Sequence, residues 1–323
     1  MAVADPSNHW KPSVIGSLMN AADTRYRPEY QPTPGPIFKR PFDPKAVLRW
    51  MTFDQWFPWC LIFPVLAAAA WRYLTPPLTA MADFSVAWVA LIWLRNFTLL
   101  AVVAGTLHWW LYVRRSQGTR FKLHPKWLAD NDGRYLWRDQ VKDNAFWCLA
   151  SAVTVWTVYE SITWWIYANG YREAPAFFEH PIYFVVTLVA VLFWNAVHFY
   201  LTHRLLHWRP LYRRVHERHH RNVNIGPWSG LAMHPAEHAI YFSAIALWWI
   251  VPAHPVVVMV TGLYLGLAPA ITHAGFDQLI LPNGKVIWLG DWFHQLHHRH
   301  VNVNFGHASL APFDKVFDSW RAS

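Results

Sequence analysis

Charge is scarce in this chain. Only 15% of its 323 residues are Asp, Glu, Lys or Arg, where an ordinary soluble globule carries about 25%. With 54% hydrophobic and 17% aromatic residues, and the apolar ones gathered in long blocks, the composition is that of an integral membrane protein. Cysteine is nearly absent. Cys60 and Cys148, one in each of two apolar blocks, exclude a disulfide framework, a cysteine-rich zinc site and a thiolate iron–sulfur cluster. The first 48 residues are polar and proline-rich, with no apolar run behind a basic start, so no cleavable signal peptide is expected. A Gly-x-Gly-x-x-Gly dinucleotide fingerprint is also missing. The net charge of +9 does not point to nucleic acid, because Lys and Arg sit mostly beside the apolar blocks, where they read as flanks facing anionic lipid.

Four stretches reach spanning length of roughly 20 residues, at about 56–74, 84–113, 145–168 and 181–201. Two shorter ones, about 239–251 and 255–272, are separated by Pro252 and Pro255 and read as a tight helical hairpin dipping into the bilayer from one side. Basic residues crowd before the first stretch (Lys39, Arg40, Lys45, Arg49) and in the second connection (Arg114 to Lys142), whereas 75–83 has none and 169–180 only Arg172. The positive-inside rule therefore puts the N-terminus, the second connection and everything just after the fourth stretch in the cytoplasm, of either a bacterial inner membrane or an endoplasmic reticulum. The expected fold is all-α and multi-pass: a four-helix transmembrane bundle plus a short helical hairpin, with a cytoplasmic histidine cap. The expected division is a tail at 1–48, three membrane helices with a basic loop at 49–180, and a histidine-box domain at 181–320. Arg95 and Glu160 interrupt apolar helices; intramembrane charges are costly, so the two either pair with each other or serve the substrate.

What the chain has in excess is histidine. Of 19, 14 fall between His198 and His300. They come in boxes: His203-Arg-Leu-Leu-His207, His216-Glu-Arg-His219-His220, His234-Pro-Ala-Glu-His238, a lone His273, and His294-Gln-Leu-His297-His298. Positions i and i+3 or i+4 share one helix face, so each box projects two or three imidazoles into one volume and reads as a metal clamp. One catalytic zinc takes about three protein ligands and a structural zinc four, so ten or so clamped histidines imply two metals. Imidazole suits zinc, copper, iron and nickel alike, and the residues alone do not choose among them. The second and last boxes form a partial repeat, each His-x-x-His-His-Arg being followed by Asn-Val-Asn-(Ile/Phe)-Gly, at Asn222–Gly226 and Asn302–Gly306. The Asn and Gly read as helix stops, with Asn222 and Asn302 also placed to orient ring nitrogens from behind.

These boxes, in this order, resemble those of the fatty acid hydroxylase and sterol desaturase superfamily of membrane non-haem di-iron enzymes. The resemblance covers about 181–320 and ends on Asn304-Phe-Gly306 and Phe313-Asp-Lys-Val-Phe317, with Phe313 where the family usually has Trp. It implies two iron ions held by His203, His207, His216, His219, His220, His273, His294, His297 and His298, with His234 as a further ligand or a supporting group. His238, His198, Glu237 and the extra His300 are further candidates for support or weak ligation, and Glu160, Glu237 and Asp291 for relaying protons. Zinc binds imidazole more tightly than ferrous iron and competes for such a site in purified protein.

The function so implied is an O2-dependent oxidoreductase, a monooxygenase that hydroxylates, or desaturates, an unactivated C–H bond of a lipid such as a fatty acyl chain or sterol. Its electrons are expected from a separate ferredoxin or small cytochrome with its reductase, since these residues show no haem-binding domain, no Gly-x-Gly-x-x-Gly and no cysteine set for an iron–sulfur cluster. A lipid channel is expected along Phe193, Val197 and Leu201 of the fourth stretch and Phe242, Leu247 and Leu263 of the hairpin. Two other readings compete: a histidine-rich membrane metal transporter or metal-binding protein, which would want its ligands at the bilayer midplane, and a zinc hydrolase built on His216-Glu217-x-x-His220. The overlapping His219 and the matching box with Gln295 in place of Glu make Glu217 incidental.

Overall fold

The computed structural model describes residues 36, 41–289, 292–307 and 310–321. Most of the proline-rich tail, and Asp291, lie outside them. The order of helices is α1 (Pro44–Trp50), α2 (Trp59–Tyr73), α3 (Val86–Val113), α4 (Gln140–Ala168), α5 (Pro181–Leu206), α6 (Glu217–His220, entered through a π turn at Tyr212–His216), α7 (Pro235–Phe242) and α8 (Pro255–Thr272). A two-stranded antiparallel hairpin, β1 (Gln278–Ile280) against β2 (Val286–Trp288), precedes α9 (Trp292–His300) and α10 (Ala311–Val316). The fold is thus almost wholly helical, and the hairpin is its only sheet among the described residues.

Among the described residues four helices are long and apolar enough to cross a membrane: α3, α4, α5 and α8. The number agrees with the sequence reading; the membership differs. The stretch at 56–74 forms a helix of only 15 residues, α2, shortened because Pro58 precedes it and the chain leaves the helix before Pro76 and Pro77. The segment 255–272, read as one arm of a shallow hairpin, is instead the centre of the bundle. It is apolar around its whole circumference and is mostly buried, against α2, α3 and α5, as such a helix must be. The other arm is α7 continued by a 3₁₀ stretch, Ser243–Trp249, which packs back on α8. Tyr241 donates to the Leu265 carbonyl (3.1 Å) and Trp248 Nε1 to Thr261 Oγ1 (2.8 Å) across the pair.

Both arms start alike. His234 and His254 each occupy the N-cap before a proline, their Nδ1 atoms accepting from the N–H two residues on at 3.1 and 3.2 Å. On α8, Gly262 and Gly266 open a groove for the fully buried indole of Trp156 from α4: a Cβ at Gly266 would fall 2.4 Å from Trp156 Cζ3. Small residues four apart are the usual means by which membrane helices approach closely. The outward face of α5 carries Ile182, Val185, Val186, Val189, Phe193 and Leu201 exposed, an apolar surface suited to lipid.

Arg95 and Glu160 do pair. The Arg95 guanidinium bonds Glu160 Oε1, Asn96 Oδ1 and Thr75 Oγ1, while Trp164 Nε1 (2.8 Å) and Asn96 Nδ2 (3.1 Å) donate to the carboxylate. Along α3, Arg95 stands about 25 Å from Tyr112 at 1.5 Å per residue, and Tyr112 is the residue beside the histidines: its hydroxyl donates to the carbonyls of Ile225 and Ala274. The pair is therefore a clamp between α3 and α4, remote from them.

Candidate metal centre

Five segments bring the histidines together. The last turns of α5 present His203 and His207, one turn apart on one face; the π turn and α6 present His216, His219 and His220; His273 ends α8; and α9 presents His294, His297 and His298. They sort into two groups whose ligand atoms lie within 4.8 Å of one another: His203, His207, His216, His220 and His297 in one, and His219, His273, His294 and His298 in the other. All are buried except the half-buried His207. Each close His-His pair is split between groups, which is how two adjacent residues on a helix serve two centres.

The nitrogen geometry carries chemical information. In the first group His203 and His216 meet Nε2 to Nε2 at 3.1 Å, and His220 Nε2 lies 3.1–3.2 Å from the Nε2 atoms of His207, His216 and His297. In the second, His273 Nε2 lies 3.1 Å from His294 Nε2 and 3.2 Å from His298 Nε2. These contacts are not all hydrogen bonds. His203 Nδ1 faces the Phe305 carbonyl at 2.7 Å and His297 Nδ1 the Val303 carbonyl at 2.6 Å, so each Nδ1 carries the ring proton and each Nε2 turns a lone pair inward. Lone pairs converging in a dry site repel unless a cation sits among them. The spacings suit one: a metal–imidazole bond of about 2.1 Å gives nitrogen–nitrogen edges of about 3.0–3.4 Å in octahedral or tetrahedral coordination. The residues therefore fit two metal ions.

Burial is the dominant influence on the titration of this cluster. It holds His219, His220, His294, His297 and His298 well below the ordinary histidine range, neighbouring imidazoles adding to the effect, and pushes His216 down to about 3. The rings are thus neutral, the form that binds metal. Burial also pushes the Glu237 carboxyl, 2.7 Å from His216 Nδ1, well above the usual carboxylate range. A cation nearby acts on it in the opposite sense, favouring the ionised form.

The remaining sequence candidates fall elsewhere. His234 caps α7 outside both groups. His238 is fully buried and committed on both nitrogens, to Ser151 Oγ (2.9 Å) and the Leu231 carbonyl (3.0 Å). His198 bonds Ser243 Oγ at 2.9 Å. Glu237 backs His216 directly. Asn222 accepts from Gln140 Nε2 and Asn144 Nδ2 at 3.0 and 2.8 Å, holding the loop behind α6 against α4. Asn302 is exposed and His300 half-buried, outside the groups; so is Glu217. Among the channel candidates Phe242 and Leu263 are fully buried, Val197 and Leu247 half-buried, and Phe193 and Leu201 exposed on the outer face of α5.

Four supporting residues were not legible beforehand. Gln295, which stands where the second box has Glu, donates to the Val223 carbonyl at 2.9 Å and so ties the two halves of the repeat together. Gln140 and Asn144 are polar residues at the mouth of an apolar helix, and that misplacement was their only signal. Asp314 accepts from the N–H groups of Phe305 and Gly306 (3.0 and 3.2 Å) and from Ser319 Oγ (2.7 Å). It fixes the backbone whose carbonyl holds His203.

Residues 187–319, the segment that carries all nine grouped histidines, match the fatty acid hydroxylase family. The chain is 24% identical over 179 residues to the Delta(7)-sterol 5(6)-desaturase of Saccharomyces cerevisiae, covering 54% of this chain and 48% of that protein. It is 27% identical over 175 residues to human fatty acid hydroxylase domain-containing protein 2, covering 49% and 45%, and 29% identical over 123 residues to the Delta(7)-sterol 5(6)-desaturase of Eremothecium gossypii, covering 38% and 34%. The chain thus spans about half or less of the length of these curated relatives. No solved structure matches it. The histidine-bearing segment, residues 187–319, thus matches the fatty acid hydroxylase family, and its relatives support a place for that segment in the fatty acid hydroxylase and sterol desaturase superfamily.

Proposed function

We propose that this chain is a multi-pass membrane di-iron oxygenase that hydroxylates, or desaturates, an unactivated C–H bond of a lipid. The observation that carries the reading is the convergence of nine neutral imidazoles into two groups inside a segment that matches the fatty acid hydroxylase family. In this reading His203, His207, His216, His220 and His297 hold one iron and His219, His273, His294 and His298 the other. Bound there, the iron pair supplies the activation of dioxygen and the abstraction of hydrogen from the lipid, with electrons from a separate ferredoxin or small cytochrome. The chain's own share is to hold, orient and insulate. Phe305 and Val303 carbonyls and the Glu237 carboxylate lock three rings in the tautomer that presents Nε2, and burial excludes water from the site.

The same reading divides the chain into a tail at 1–48, three helices with a basic loop at 49–180 and the catalytic unit at 181–320, with N-terminus and metals on the cytoplasmic side. The lipid enters along Val197, Leu247, Phe242 and Leu263, with Phe193 and Leu201 at the bilayer-facing mouth. Lipid mass spectrometry of cells with and without the gene tests the reaction. A product differing by one added oxygen or two lost hydrogens, together with iron in the purified protein, is the expected result. An unchanged lipid profile with protein that takes up no iron overturns it.

A further inference from the structure

The two histidine groups are not equally built. In the five-membered group three rings are braced from behind: His203 by the Phe305 carbonyl (2.7 Å), His297 by the Val303 carbonyl (2.6 Å) and His216 by Glu237 Oε1 (2.7 Å). The first brace is itself braced, because Asp314 holds the N–H groups of Phe305 and Gly306. Among the described residues only His273 of the four-membered group has such partners, the Pro269 carbonyl at a longer 3.1 Å, an oxygen that already takes the His273 backbone N–H, and Thr272 Oγ1 at 3.3 Å. The Nδ1 atoms of His219, His294 and His298 are buried without a hydrogen-bond partner, against that of His220 alone in the five-membered group. Among the described residues neither group contains a carboxylate ligand, and Glu237 lies against His216 of the first.

From this asymmetry we propose that the two metal sites differ in hold: the five-histidine site binds first and retains its ion, while the four-histidine site is the exchangeable one. The inference rests on the reading of both groups as metal sites. Its physical basis is that a backing hydrogen bond fixes the ring's orientation and tautomer and raises its basicity, so that losing one such partner costs about 10- to 100-fold in metal affinity. Two fewer braces and one fewer ligand therefore separate the sites by at least about 100-fold.

Titration of metal-free full-length protein with Co2+, followed by its visible absorption and by metal analysis, measures the difference. Two phases are expected, and a competing chelator should leave one ion per chain across a broad range of chelator concentration. His294→Ala should abolish the weak phase and keep the tight one, and His297→Ala the reverse. Glu237→Ala removes the brace behind His216 and should weaken the tight phase about 10-fold with the weak phase unmoved. Two ions binding in a single phase, or the weak phase vanishing with His297→Ala, overturns the inference and leaves the two-metal reading intact. A protein that binds fewer than two ions in native form overturns that reading and the inference with it.

Discussion

Gly266→Ala tests whether the packing of α8 against α4 is as close as the backbone implies. The added methyl would lie 2.4 Å from Trp156 Cζ3 and 2.7 Å from Cε3 and Cη2, a full ångström inside ordinary contact. Trp156 has little room to retreat: it is 1% exposed, its ring stacks parallel to Phe242, and its Nε1 lies over Gly262. Inserting a methyl into such a core costs about 1–3 kcal/mol, here at the upper end, while replacing glycine in a helix returns about 1 kcal/mol of propensity. The net loss is about 2 kcal/mol, or about 3 °C in Tm for a chain of this size. Thermal unfolding in detergent micelles, followed by circular dichroism, reads it. The cause is isolated by repeating the change in a Trp156→Leu background, where the clash is gone and only the propensity gain of about 1 kcal/mol remains. If Gly266→Ala shifts Tm equally in both backgrounds, the Trp156 contact is not what makes glycine necessary.

The histidines give a second expectation: His297→Ala and His219→Ala, one from each group, should each lower metal content and remove activity while the helices remain inserted, and full activity in both would sink the metal assignment. Removing one partner of the buried Arg95–Glu160 pair, as in Glu160→Ala, should destabilise by about 3–5 kcal/mol by stranding a charge; denaturation of this variant beside Arg95→Met/Glu160→Leu, expected to be milder, checks it. For metal-free protein the sign of the pH effect follows from burial: His216 and His238 titrate at about 3 and about 4 when folded but near 6.5 when unfolded. Below pH 6.5 the unfolded chain takes up protons that the folded one refuses, so stability falls with falling pH by about 1.4 kcal/mol per unit for each, and a Tm unchanged from pH 7 to pH 5 contradicts it. Finally, cysteine labels at residue 20, within 120–135 and after 310 should report one face of the membrane and labels near 78 and 172 the other; a label after 310 that sides with residue 78 would reverse the placement of the metal site.

How much of this was legible beforehand differs with the range of the interaction. Apolar blocks and the scarcity of charge announce membrane helices because a bilayer imposes length and composition on any segment crossing it. Histidines three or four apart announce clamps because helical periodicity is local, and ten or so of them in such clamps already implied two metals. Pairing across the bundle is another matter. That His219 and His220, adjacent in sequence, face different groups depends on where α5, α8 and α9 meet. That His234 caps a helix while Glu237 backs His216 depends on how α7 lies against the π turn at Tyr212–His216. The central place of α8 was hidden for the same reason: length and prolines made 255–272 look peripheral, and only the surfaces of α2, α3 and α5 closing around it decided that its apolar circumference belonged inside. Composition and periodicity specify what each segment is able to bury; which segments bury one another, and therefore which imidazoles share an ion, is settled by contacts between residues far apart in the chain.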